Sequence, residues 1–499
     1  MLTYNLTNTG SDSLYEYLYK SIKNDILQGA IKAEEKLPSK RLFAKNLGVS
    51  VITVENAYAQ LLAEGFIYSV PKRGFYVSDF KDTRKEKKNP FKKEMVPLTN
   101  VPSIYFADFS SNQTPSELFP FTIWSRVIRE VLSDSQAQLM TNPPCGGTFL
   151  LRESIARHLK EFRGMCVRPE QILIGAGTEY LYGLLIQLLG QEKTYGVENP
   201  GYQKTAKIYK SNRVACEWID MDESGICIEQ LEEKRVDIIH ITPSHHYPTG
   251  IVMPISRRYE LLGWASKGEG RYIIEDDYDS ELRFSGQPIP TLQSIDVSER
   301  VIYMNTFTKT LCSTVRISYM VLPQELMIRF YETMSFYSGT VSNFEQYTLA
   351  RFIEEGKFET HINRLRNYYR QKKDLLLEAI NKSKLKSIAS ISGQEAGLHF
   401  LMTICSDLEE EVVCCRAKER GIKLVPLSDY YYGSSQQKKN VYVMNYSSID
   451  VSRTDEIMER LYKSCTRDKA EEKSNVFETG RNLEKKAENS CDALKNQVL

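Results

Sequence analysis

Two apolar runs, each broken off by chemically active residues, constrain this chain more than any other feature. Arg271-Tyr-Ile-Ile-Glu-Asp-Asp-Tyr-Asp279 starts as a strand-like run from Arg271 to Ile274 and ends in acids around a tyrosine. Val301-Ile-Tyr-Met-Asn305 leads into Thr306-Phe-Thr-Lys309, and Arg316 follows. Short apolar runs rich in β-branched and aromatic residues read as buried strands. From Tyr105 to about Lys463 such runs alternate with helical patterns, which predicts an α/β domain with a mostly parallel sheet. A carboxylate, a phenol, a lysine and an arginine would then stand at successive strand ends.

At 499 residues the chain exceeds one ordinary domain. Its 65 basic and 64 acidic side chains leave a net charge of +1, so contact with nucleic acid must come from local basic patches. None of the ten cysteines forms a Cys-x-x-Cys pair, and the six histidines lack zinc-ligand spacing. Reduced thiols, a cytoplasmic location and no metal are expected. The amino terminus lacks the basic and apolar regions of a signal peptide. No apolar run approaches the roughly 20 residues of a membrane helix, so no membrane partner is expected.

Leu14, Leu18, Ile22 and Ile26 recur at helical spacing before Gly29. Pro38-Ser39 opens a second helix with Leu42, Phe43 and Leu47, ending at Gly48. Ser50 is a good N-cap for a third, which turns Val54, Ala57, Tyr58 and Leu61 inward and ends at Gly65. Two β-rich runs, Phe66 to Val70 and Phe75 to Val77, flank Pro71-Lys-Arg-Gly74. Three helices and a hairpin make a winged helix-turn-helix. The predicted organisation is a DNA-binding domain over 11–79, a basic linker over 80–104, the α/β domain over 105–465, and a charged, disordered tail over 466–499.

The run from Glu35 to Phe66, with its Leu-Pro-Ser-x-Arg, Leu-Gly-Val-Ser, Thr-Val and Ala-Glu-Gly segments in register, resembles the DNA-reading core of the GntR family of bacterial regulators. The third helix would enter the major groove of operator DNA by its amino-terminal end. Ser50 and Thr53 would contact phosphates or base edges, and Lys40 and Arg41 would supply phosphate charge. Lys72 and Arg73, at the hairpin tip, would reach the minor groove. Val51 stands where family members often carry arginine.

The rest of the chain resembles fold-type I aminotransferases, and the combination is similar to the MocR-type branch of GntR regulators. The resemblance implies pyridoxal 5'-phosphate as cofactor. Lys309 would form a Schiff base with its aldehyde, and Arg316, Thr306 and Thr308 would hold its phosphate. Asp276 would hold the protonated ring nitrogen, and Tyr278 the phenolic oxygen. Ile174-Gly-Ala-Gly-Thr-Glu179 matches the family's phosphate-cradling turn, which makes Gly177 and Thr178 candidates. Glu198-Asn-Pro-Gly-Tyr202 matches the segment that stacks an aromatic on the ring, here Tyr202.

Two departures bear on function. Tyr247 replaces the asparagine that precedes Pro-Thr-Gly in true aminotransferases. Val443-Met-Asn-Tyr446 lacks the arginine with which those enzymes clamp a substrate carboxylate. His246 is given no catalytic role, and Arg364 and Arg366 are read as structural or dimer-facing. The favoured reading is a homodimeric transcription regulator that senses an amine or amino-acid effector, or the cofactor itself. The alternative is an active aminotransferase or lyase that carries a DNA-binding domain.

Overall fold

Ser39 and Ser50 both stand in extended backbone ahead of a helix and accept its exposed amide hydrogens, Leu42 N at 3.3 Å and Thr53 N at 3.1 Å. These caps set the starts of α2 (Lys40–Leu47) and α3 (Val51–Ala63), which follow α1 (Leu14–Leu27). The computed structural model describes Tyr4 and residues 13–79, 105–284, 289–433 and 437–467. It divides into two units, Met1–Pro102 and Ser103–Leu499. The predicted basic linker, and all of the predicted tail beyond 467, lie outside the described residues.

Leu18, Ile22, Phe43, Val54, Ala57, Tyr58 and Leu61 form the core of the first unit, all fully buried. Leu14 and Leu42, apolar members of the helical patterns, are 45% and 52% exposed. Neighbouring helix positions point about 100° apart, so burying Phe43 and Ala44 turns Leu42 outward. Strands β1 (Ile67–Val70) and β2 (Gly74–Val77) pair antiparallel, with Val70 opposite Gly74. Lys72 takes the left-handed conformation (φ 61°) that closes the hairpin.

In the second unit β3 (Ala107–Asp108) precedes a mixed sheet of eight strands. These are β4 (Ile172–Gly175), β5 (Thr194–Asn199), β6 (Ala215–Asp222), β7 (Gly225–Ile226), β8 (Ile238–Ile241), β9 (Tyr272–Asp276), β10 (Val301–Thr306) and β11 (Ser318–Val321). Their order is β4-β11-β10-β9-β8-β5-β6-β7. Every residue of β8, β9 and β10 is buried, because helices cover both faces; hence the unbroken apolar runs in sequence. Leu181 and Leu185, from Thr178–Leu189, pack in one cluster; Leu261 and Trp264, from Ile255–Lys267, pack in another.

The sheet departs from parallel at its far edge, where β7 runs antiparallel to β6, and at β11, which runs antiparallel to β10 and β4. Segment 307–317 between β10 and β11 is too short for a helical crossover, which takes about a dozen residues or more. A smaller antiparallel sheet, β12 (Ala389–Ser392), β13 (His399–Ile404) and, past β14 (Ile422–Lys423), β15 (Val441–Asn445), follows the long helix Lys357–Lys382. Strand β14 pairs with β3, so the start of the unit is tied to its end. Among the described residues no helix is long and apolar enough to cross a membrane.

Candidate functional site

A crevice forms where the carboxyl ends of parallel strands meet, and here those ends deliver Glu198 from β5, His240 from β8, Asp276 from β9 and Thr306 from β10. They line one cavity of about 370 Å³, within the range of small-molecule sites. Lys309, Tyr278, Thr308, Arg316, Thr178 and Tyr202 line it as well. Gly177 is the backbone position just before Thr178, at the start of the helix Thr178–Leu189.

Asp276 is held on one side only. Its Oδ2 accepts a hydrogen bond from Tyr182 Oη at 2.6 Å and lies 3.4 Å from His240 Nε2. Tyr209 Oη bonds the other ring nitrogen of His240 at 2.7 Å. Asp276 Oδ1 is buried with no hydrogen-bond partner, which in a native site calls for an explanation.

Lys309 Nζ donates to the carbonyl oxygen of Asn112 at 3.1 Å. Burial pulls this amine down to about 8, against the pull of Asp279. Glu198 has the opposite shift: burial pushes its carboxyl up to about 8, although Thr242 donates to it through both backbone N (3.1 Å) and Oγ1 (2.8 Å).

Gly177 adopts φ 96°, and a Cβ there would run into the Arg316 guanidinium. Arg316 Nη2 donates to Ala176 O at 3.2 Å and Glu179 Oε2 at 3.3 Å. Arg316 itself has φ 53°, a conformation uncommon for a side-chain-bearing residue and found where function holds the backbone. Thr306 Oγ1 is bonded to Thr308 Oγ1 and to Ser318 Oγ, both at 2.8 Å. Tyr278 Oη is 3.3 Å from His245 Nδ1, and His245 also pairs with Asp279 at 2.8 Å. Tyr202, 53% exposed, stands at the mouth, beside a Lys204–Glu179 ion pair. Tyr247, also in the lining, bonds Tyr430 Oη at 2.7 Å. His246 is pushed down to about 3 by burial, so it is neutral.

In the first unit Ser50 and Thr53 share a hydroxyl bond of 2.8 Å. Lys40 is tied to Glu55 at 2.7 Å and lies over the Phe75 ring at 5.3 Å. Arg41, Lys72 and Arg73 are exposed.

Sequence reasoning passed over Tyr182, His240, Tyr209, Glu198 and Asn112. A partial signal existed for Tyr182, which lies one helical turn beyond Thr178 and so on the same face. Asn112 had none, because a backbone carbonyl carries no residue identity.

Comparison with known proteins agrees with this division. Residues 14–77 match the family described as bacterial regulatory proteins, gntR family, and residues 106–452 match aminotransferase class I and II. The HTH-type transcriptional regulator YdeL of Bacillus subtilis (strain 168) is 39% identical over 430 residues, 85% of this chain and 91% of that protein. The probable rhizopine catabolism regulatory protein MocR of Rhizobium meliloti is 30% identical over 88% of this chain and 90% of its own length. The pyridoxine biosynthesis regulator PdxR of Corynebacterium glutamicum is 29% identical over 88% and 93%. Among solved structures, kynurenine aminotransferase of Pyrococcus horikoshii superposes with a TM-score of 0.62 at 24% identity, over 73% of this chain and 91% of that one. That likeness establishes the fold.

Fold and site thus define a winged-helix DNA-binding regulator joined to an aminotransferase-like domain. The chain belongs to the MocR-type branch of the GntR family of bacterial transcription regulators.

Proposed function

We propose that this chain is a cytoplasmic, homodimeric regulator that binds operator DNA and senses an amine or amino-acid effector, or the cofactor itself, through pyridoxal phosphate held at Lys309. The observation that carries the reading is the half-satisfied Asp276. Asp276, whose buried Oδ1 has no partner, lines the same cavity as Lys309, an amine of lowered basicity. A protonated pyridine nitrogen supplies what Oδ1 lacks, so the residues fit the cofactor.

When bound, pyridoxal phosphate supplies an aldehyde that condenses reversibly with primary amines. Near pH 8 a large share of Lys309 is unprotonated and nucleophilic. Tyr182 and His240 orient Asp276 and leave one oxygen to receive the ring nitrogen. Arg316, the Thr306 and Thr308 hydroxyls and the helix amino terminus at Gly177 and Thr178 would hold the phosphate. Tyr202 would cover the ring, and Tyr278 would face its oxygen.

Lys309 Nζ rests on the carbonyl oxygen of Asn112 and would leave it to hold the cofactor. The segment around Asn112 is bonded to β14 through Phe109 N to Lys423 O and to β15 through Asn445 N to Phe109 O, each 3.0 Å. Released from the cofactor, Lys309 would rest on Asn112 again. Two states that differ in this bond give an effector something to bind unequally.

Turnover as an aminotransferase is disfavoured. Among the described residues none from the small sheet lines the cavity, and Val443, where an arginine would clamp a carboxylate, is buried in β15. Productive chemistry needs an oriented substrate.

The test is the visible spectrum of the purified chain with pyridoxal phosphate, beside Lys309→Ala. A band present only with Lys309 is expected. Equal spectra from both proteins would remove the covalent site.

A further inference from the structure

We infer that the amino-terminal turn of α3 reads thymine through its methyl group, with Val51 and Ile52 as the reading side chains. This rests on the DNA-binding reading above and goes beyond it to base preference.

Packing leaves these two residues on the outside. Because α3 buries Val54, Ala57, Tyr58 and Leu61, its first turn points Val51 and Ile52 away from the core, 43% and 68% exposed. Scattered exposed aliphatics need no explanation. Two in succession, at the end of the helix that enters the groove in this architecture, do.

Ser50, Thr53 and Glu55, the polar side chains next to them, already have partners. Ser50 Oγ accepts the Thr53 amide at 3.1 Å and shares a 2.8 Å bond with the Thr53 hydroxyl. Glu55, one turn further along, is neutralised by Lys40 at 2.7 Å. What this turn offers a groove is therefore mainly aliphatic surface. In the major groove the apolar group on a base edge is the thymine 5-methyl. An arginine at position 51 would instead favour the two acceptors of guanine. Valine there withdraws that contact and turns the preference toward thymine.

The probe is duplex DNA selected from a randomised pool by the full-length protein at fixed salt. Each strongly preferred thymine is then replaced by deoxyuridine, which removes the methyl group alone. The expected result is a loss of about three- to fivefold at one or two positions per half-site, the worth of one buried methyl. The loss should vanish in Val51→Ala and Ile52→Ala. Both positions are exposed and alanine favours helix, so the fold is retained, which circular dichroism checks. Equal affinity for thymine and deoxyuridine duplexes overturns the inference. So does a methyl effect that persists unchanged in both variants. If the pool yields no bound duplex, the DNA-binding reading fails, and the inference with it.

Discussion

Lys309 and Glu198 line one cavity and are displaced toward each other on the pH scale, both to about 8, because burial disfavours the charged form of each. The rate at which the protein takes up pyridoxal phosphate should therefore rise with pH through about 8 and level off above it. An ordinary lysine would go on rising toward 10.5. Stopped-flow growth of the visible band measures this. For Glu198 the folded value lies above the ordinary 4.5. Its contribution to stability is therefore complete below about 4.5 and is lost as pH rises through about 8. Unfolding free energy against pH should show the natural protein losing ground to Glu198→Gln across that window, by on the order of a few kcal/mol. At Asp276, replacement by Asn keeps the shape but removes the charge that a protonated ring nitrogen would meet. The cofactor dissociation constant should rise by roughly ten- to a hundredfold in an equilibrium titration.

Among the elements, the turn between β4 and the helix Thr178–Leu189 is the most exacting. Gly177→Ala adds a Cβ to a left-handed backbone and drives it into Arg316. Cofactor affinity should fall by at least about tenfold, and the strained backbone should lower the melting temperature as well. Much of this region was legible in the sequence. Strand-length apolar runs marked β9 and β10, and the residues that end them, Asp276, Tyr278, Thr306 and Lys309, all line the cavity. A two-sided buried strand leaves that signature whatever its neighbours are. The direction of β11 was not legible, because pairing depends on which strand is adjacent in space. Nor was the hold of Tyr182 and His240 on Asp276, which crosses distances in sequence that no local pattern spans. Leu42 shows the limit of an apolar pattern: it marks the helix, but the rotation fixed by Phe43 and Ala44 leaves Leu42 itself outside.

For the whole molecule, a net charge of +1 means that DNA affinity must be local. Arg73→Ala, at the exposed hairpin tip, should weaken binding to all duplexes alike and lower the slope of log affinity against log salt by about one. Fluorescence anisotropy at several salt concentrations gives both numbers. A methyl-reading contact at Ile52 would leave that slope unchanged, so the two surfaces can be told apart in one titration series. The central claim is that the cavity governs the DNA-binding function of the chain. It is tested most directly by the affinity of the full-length protein for a selected duplex with and without pyridoxal phosphate, alongside Lys309→Ala. The account predicts that the cofactor changes the affinity of the natural protein and leaves the variant unmoved. Affinities that ignore the cofactor, or that shift equally in both proteins, would contradict it.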